Sequence, residues 1–316
     1  MLRLPDSWVW DSWYAVADGW HHAFYLRASR GLRDPDRRHR HPSVGHAVSS
    51  DLREWTVLPD ALAVSESPAF DDWTTWTGSI VRDDARSRWV MAYTGSSRAD
   101  GGLVQRIGFA TSLDLLTWDK TDPTTVLGAD PRWYETLGTS DWFDEAWRDP
   151  FLFRGDDGLW HMYVTARANH GPVRGRGVVG HATSLDLDTW TVHPPITEPG
   201  QGFGQLEVTQ VEIVNGVPTL VFCCCWPELD DDGKARHGAG GVFSVTGPSV
   251  LGPFDIAAAR RFPDAALYAA RLVRAAAGWV LMGFANEVNG QFVGELMDPI
   301  PVTSRAGEGL VRLGGD

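Results

Sequence analysis

The chain has 316 residues, enough for one large all-β domain or two ordinary ones, and its 43% apolar and 22% charged content is that of an ordinary globular protein. Its 28 basic against 41 acidic residues give a formal net charge of −13, the opposite of what a nucleic-acid partner requires, and leave a neutral ligand as the simpler expectation. No run of 18 apolar residues is present, and MLRLPDSWVW lacks a basic segment followed by an apolar one, so no membrane partner or secretory leader is expected and a cytoplasmic location is.

In chain order the predicted elements repeat. VWDSWY (9–14) and GWHHAFYLRAS (19–29) read as strands, followed by the basic loop RGLRDPDRRHRHP (30–42) and by GHAVSSDLREWTV (45–57), a strand, a tight turn and a strand. A second unit runs through WTGSIV (76–81), SRWVMAYTGSS (87–97) and GFATSLDLLTWDK (108–120). A third has WRDPFLF (147–153), GLWHMYVTARA (158–168) and GHATSLDLDTWTV (180–192). The frame G-x-A-x-S-x-D-L-x-x-W is common to all three. Two drifted units follow: LEVTQVEIV (206–214) with GVPTLVFCCCW (216–226) and GGVFSVTGPSVLGPF (240–254), then YAARLVR (268–274) with GWVLMGFANE (278–287), GQFVGELMDPIPV (290–302) and GLVRL (309–313).

Five units of three to four antiparallel strands, with no helical periodicity and no linker, predict an all-β fold: one five-bladed β-propeller domain. The blades fall roughly at 8–60, 70–122, 140–195, 203–256 and 265–316, leaving no residues for a C-terminal β-sandwich. A β-sandwich fold also uses many short strands but gives no reason for five similar units. Residues taken as equivalent on the first strands are Asp11, Ser79, Asp149, Glu207 and Ala270. Three are acids inside apolar strands, where burial is costly unless it serves a site. Singly, Asp11 could cap a turn, Asp149 could pair with Arg148, and Glu207 could be a solvated edge residue like Glu212. Together, at the mouth of one channel, three carboxyls suit hydrolysis of a glycosidic bond: one protonates the leaving oxygen, one attacks or activates water, and a third holds a sugar hydroxyl.

Trp10, Trp13 and Trp76 flank these acids as candidate sugar platforms, while Trp55, Trp118 and Trp190 occupy the repeat position and read as core. His46 and His181 share a position with Phe109, which argues for packing and against a metal. Cys223, Cys224 and Cys225 are consecutive and read as strand cysteines without a disulfide or zinc site. Asp230, Asp231 and Asp232 lack the spacing of a calcium loop and read as a solvated hairpin tip, with Lys234, Arg236 and His237 edging the pocket. No metal and no cofactor are expected; the expected partner is a small-molecule or oligosaccharide substrate.

The segment VWDSWYAVADGWHHAFYL (9–26) resembles the opening of glycoside hydrolase family 68, the levansucrases and related β-fructosyl enzymes. WTGS (76–79) is similar to that family's W-S-G-S motif, and WRDPF (147–151) to the Arg-Asp-Pro motif shared by families 68 and 32. The resemblance implies Asp11 as nucleophile, Asp149 as the residue that grips fructosyl hydroxyls, Arg148 as its support, Trp76 and Ser79 as shaping the sugar site, and Glu207 in GQLEVTQ as general acid and base. Two departures stand out. Val208 follows Glu207 where family 68 has Arg and family 32 has Cys, and the Asn-Asp-Pro-Asn-Gly opening of family 32 is absent. The leading expectation is a retaining β-fructofuranosidase-like enzyme cleaving sucrose or small fructosides. The alternatives are an inverting arabinofuranosidase- or xylosidase-like hydrolase of the related family 43 plan, and a non-catalytic sugar-binding propeller.

Overall fold

Short strands with apolar residues on both faces must be covered on both faces. In the computed structural model, which describes residues 1–122 and 125–314, five antiparallel sheets achieve this by packing face to face as the blades of a propeller. Blade 1 holds β1 (Ser7–Ala17), β2 (Trp20–Ser29), β3 (Ser43–Ser49) and β4 (Thr56–Leu62). Blade 2 holds β5 (Thr74–Asp83), β6 (Arg88–Ser96), β7 (Gln105–Ser112) and β8 (Asp119–Lys120). Blade 3 holds β9 (Trp147–Arg154), β10 (Trp160–Arg167), β11 (Gly177–Ser184) and β12 (Trp190–His193), and blade 4 holds β13 (Glu207–Val214), β14 (Val217–Cys224), β15 (Gly241–Thr246) and β16 (Arg260–Arg261). Blade 5 runs β17 (Leu267–Ala275), β18 (Gly278–Val288), β20 (Ile300–Arg305) and β21 (Gly309–Arg312), with β19 (Gln291–Leu296) folded back on the far half of β18. Residues 315–316 of the fifth predicted blade lie outside the described residues.

The repeat frame is a turn with a fixed chemistry. In each copy the Ser hydroxyl accepts from the Leu three residues on: Ser49 from Leu52 at 2.8 Å, Ser112 from Leu115 at 2.9 Å, Ser184 from Leu187 at 2.8 Å. The Asp then takes the next two backbone N–H groups; Asp51 accepts from Arg53 at 2.8 Å and Glu54 at 2.9 Å. The turn forces each Leu to a positive φ of 63–66°, a conformation that leucine adopts only when something compensates, and here its side chain is fully buried. The following Trp118 and Trp190 close the turn by donating to the carbonyls of Leu115 and Leu187.

Blades 1 and 5 close the ring. Leu2 and Leu296 exchange backbone hydrogen bonds at 3.2 and 3.1 Å, and Arg3 pairs with Glu295 at 3.0 Å. Among the described residues there is one short α-helix, α1 (Asp231–His237), where a hairpin tip was expected. Asp230 caps it by accepting from Gly233 at 2.8 Å, and Asp231 and Asp232 sit in its first turn, where carboxylates favour helix over hairpin. Cys223 and Cys224 are buried on β14. His46 stacks on Phe24 at 4.3 Å, consistent with a packing role.

Ser112→Ala strips the buried N–H of Leu115 of its acceptor and is expected to destabilise the fold by about 1–2 kcal/mol, read from urea unfolding; an unchanged midpoint would contradict this account of the repeat. The turn carboxylates set the pH behaviour. Backbone N–H groups hold Asp51 down to about 2. Its share of stability is present above the ordinary value near 3.9 and is lost as pH falls through about 2. Asp51→Ala should therefore flatten the acid limb of the stability–pH curve.

Candidate active site

Alternation along a strand sends neighbouring residues to opposite faces. The innermost strands break that rule at one level of the channel. Pairing slips between Trp10 and Ser12 in blade 1, between Trp76 and Gly78 in blade 2, opposite Tyr163 and Thr165 in blade 3, between Glu207 and Gln210 in blade 4, and between Tyr268 and Arg271 in blade 5. Each slip is a β-bulge, and in blades 3 to 5 it places Asp149, Val208 and Ala269 at φ of 57°, 52° and 45°. The bulge turns two consecutive side chains to the same side. One cavity of about 450 Å³ is consequently lined by Trp10–Asp11, Trp76–Thr77, Arg148–Asp149 and Glu207–Val208, with Tyr268 from the fifth blade.

The three acids meet here with different partners. Thr77 donates to Asp11. Asp149 accepts from Thr165 at 2.8 Å and from the backbone of Val208 at 3.2 Å, and lies 3.5 Å from Arg148. Glu207 accepts from Arg148 at 2.8 Å on one oxygen and from Tyr268 at 2.5 Å on the other. Arg148 also donates to Gln105 at 3.1 Å, and Gln105 donates to Asp144 at 2.7 Å. Burial, then the charges of Asp149 and Glu207, push Asp11 up to about 7 against the opposing hydrogen bond from Thr77. Burial also pushes Asp149 up, with Arg148 pulling the other way. Burial works against the charge on Arg148, but Glu207, Asp149, Asp144 and Glu228 outweigh it and keep the guanidinium charged.

The structure brings together Asp11, Asp149, Glu207, Arg148, Trp10 and Trp76. It does not bring Trp13 and Ser79 there. Both stand two positions beyond their bulged neighbours, Asp11 and Thr77, and line a separate cavity of about 240 Å³ with Glu212 and Arg271. Trp13 stacks on Phe24, and the Ser79 hydroxyl accepts from Leu152 at 3.0 Å. In place of Ser79, the inner strand of blade 2 gives the site Thr77 beside Trp76, and Ala269, not Ala270, has the positive φ of the fifth bulge. Glu212, read as solvated, is half-buried in the second cavity, where burial pushes it up to about 7. Lys234, Arg236 and His237 do not line the main cavity; Arg236 donates to Gln201 and Ala257 instead.

Sequence reasoning missed Arg38 and His39, which the loop 30–42 folds over the cavity, and Gln105, Asp144, Glu228 and Tyr268. Arg38 stacks on Phe292 at 3.9 Å, and the His39 carbonyl accepts from Trp76 at 2.9 Å. The basic composition of that loop was the one available signal for the first two. Among the described residues no group of three or more His, Cys, Asp or Glu side chains is placed to hold a metal ion.

Residues 12–290 match the family model described as the glycosyl hydrolases family 32 N-terminal domain. A 6(G)-fructosyltransferase of Asparagus officinalis is 27% identical over 191 residues, 60% of this chain and 29% of that protein. Beta-fructofuranosidase 1 of Zea mays is 32% identical over 174 residues, 52% of this chain and 23% of that protein. The matches thus span less than a third of the length of these relatives. An inulosucrase from Halalkalicoccus jeotgali bound to kestose superposes with a TM-score of 0.79 at 20% identity, covering 99% of this chain and 90% of that one. Bacillus subtilis levansucrase gives 0.73 at 15%, covering 98% and 86%. At these identities the likeness is one of fold.

Thr77→Val removes a hydrogen bond to ionised Asp11 with little change of shape. It is expected to move the titration of Asp11 to higher pH, further above about 7, followed by carbon NMR of carboxyl-labelled aspartate with Asp11→Asn as the assignment control. A titration unmoved or moved to lower pH would contradict the pairing.

Proposed function

The chain belongs to the glycosyl hydrolase family 32 N-terminal domain family, and on that premise we propose that it is a retaining β-fructofuranosidase-like enzyme that cleaves sucrose or small fructosides. The observation that carries the reading is the convergence of Asp11, Asp149 and Glu207, from three different blades, in one cavity with different hydrogen-bond partners. Asp11 attacks the anomeric carbon of the fructosyl unit as its bond to the leaving oxygen breaks, giving a fructosyl ester of Asp11. Glu207 gives its proton to that oxygen. Arg148 and Tyr268, aimed at the two Glu207 oxygens, then stabilise the carboxylate left behind. Water attacks the same carbon, passes its proton to Glu207, and releases Asp11 as carboxylate. Asp149, fixed by Thr165 and the Val208 N–H, holds ring hydroxyls and offsets the positive charge that develops on the ring. The names of several relatives, fructofuranosidases and fructosyltransferases, support the same sugar.

Fructose release from sucrose, raffinose, inulin and levan, against nitrophenyl arabinofuranoside and xyloside, tests the reading. Asp11→Asn and Glu207→Gln are each expected to lower kcat/KM on sucrose by about a thousandfold or more. Pentose release without fructose release would overturn the assignment. Asp11 must be ionised to attack, so the rising limb of the kcat/KM profile should end at about 7, where Asp11 is deprotonated. A profile still rising tenfold per pH unit well above that value would contradict its role.

A further inference from the structure

Glu228 lines the same cavity and has no part in the chemistry above. It ends the turn Trp226–Glu228 that follows β14. The turn is anchored, since the Glu228 carbonyl accepts from Gly204 at 2.7 Å and its N–H donates to Cys225 at 3.1 Å. At Gly204 a Cβ would meet that carbonyl at 2.6 Å and Trp142 at 2.9 Å, so only glycine lets the turn lie this close to the chain entering β13. The backbone of Glu228 is therefore locked against Gly204, which stands three residues before Glu207. Its carboxyl has the Cys225 thiol as a partner, but Oε2 is buried and has no hydrogen-bond partner. An unsatisfied carboxyl oxygen on a residue that lines the cavity calls for a partner that the protein itself does not supply.

The charged and titratable groups around it are Glu207 on β13, Arg148 on β9, Asp144 in the loop before β9, and Cys224 and Cys225 beside the turn. Arg148 is one guanidinium facing Glu207, Asp149, Asp144 and Glu228, so one positive charge does not balance four carboxylates and the cluster favours retained protons. Burial, then the charge of Glu207, push Glu228 up to about 8. At neutral pH it is then a neutral acid, donor and acceptor at once, which is what a sugar hydroxyl requires. In the proposed reaction Glu207 stands at the scissile oxygen, and a group anchored beside Glu207 meets the departing sugar.

We propose that Glu228 is a specificity-determining residue that hydrogen-bonds a hydroxyl of the leaving or accepting sugar. This rests on the fructosidase reading. Sucrose has hydroxyls on its leaving group; nitrophenyl β-fructofuranoside does not. Glu228→Leu is expected to lower kcat/KM for sucrose about tenfold more than for the nitrophenyl fructoside, the effect of losing one hydrogen bond to a buried polar group. Glu228→Gln keeps a donor and an acceptor and should recover most of that difference. It should also hold KM for sucrose steady as pH rises through about 8, where the native KM climbs as Glu228 loses its proton. Equal losses on both substrates, or no recovery with Gln, would overturn the proposal. Calorimetric binding of sucrose to Asp11→Asn and to Asp11→Asn/Glu228→Leu decides the matter without turnover. About tenfold weaker binding in the double variant supports the role, and equal binding removes it. Failure of the unaltered enzyme to cleave either fructoside would instead count against the fructosidase reading alone.

Discussion

The β-bulge at one level of all five innermost strands is the constraint on which the rest of the site depends. A regular strand offers one side chain per two residues to a given face, so five strands would give the cavity five. The bulges let Trp10 and Asp11, Trp76 and Thr77, Arg148 and Asp149, and Glu207 and Val208 enter as consecutive pairs. A bulge leaves backbone groups without ladder partners, and buried threonines take up the slack. Thr94 donates to the Thr77 carbonyl at 3.1 Å and accepts from the Asp149 N–H at 2.9 Å. The Thr165 hydroxyl shares its one proton between the Asp149 carboxylate at 2.8 Å and the Leu206 carbonyl at 3.0 Å. Each links the inner strand of one blade to that of the next. Arg271 does the same below the acids, donating to Thr209 of blade 4 at 2.5 Å and Gly78 of blade 2 at 3.4 Å. The positions of the carboxyls are therefore set by backbone irregularity and cross-blade hydrogen bonds as much as by the sheets.

Crowding carboxyls in this way fixes the electrostatics. Asp11 has a single hydroxyl partner and two acidic neighbours; Glu207 has a guanidinium and a phenol. The same functional group is thereby placed in unlike surroundings, the condition for dividing nucleophile from acid. Val208, a departure from both related families, supplies its backbone N–H to Asp149 and an apolar wall to the cavity. Its side chain brings no charge to a site already dense with them.

Much of the fold was legible because its cause is local. Ser-x-Asp-Leu followed by Trp specifies the same hydrogen-bonded turn wherever it occurs, so three copies announced three blades. The site was legible where a motif carries its bulge with it, as in the Trp-Asp pair of blade 1 and the Arg-Asp-Pro of blade 3. It was misread at Ser79, taken from its motif, and at Trp13, taken from its nearness to Asp11: both fall on the far side of a bulge, which nearness in sequence does not reveal. Arg38, Gln105, Asp144 and Glu228 were out of reach for another reason. They enter from loops or outer strands whose approach depends on how blades stack, which no short window of sequence encodes.

The central claim is that Asp11 forms a bond with the fructosyl unit while Glu207 manages the proton. Rapid acid quenching of Glu207→Gln with nitrophenyl β-fructofuranoside, whose leaving group needs no proton from Glu207, followed by peptide mass spectrometry, tests it most directly, because release of the ester to water is slowed while its formation is not. The account predicts one hexosyl unit on the peptide that contains Asp11, absent in Asp11→Asn. A hexosyl unit on another side chain, or sucrose cleaved with inversion at the anomeric carbon, would contradict it.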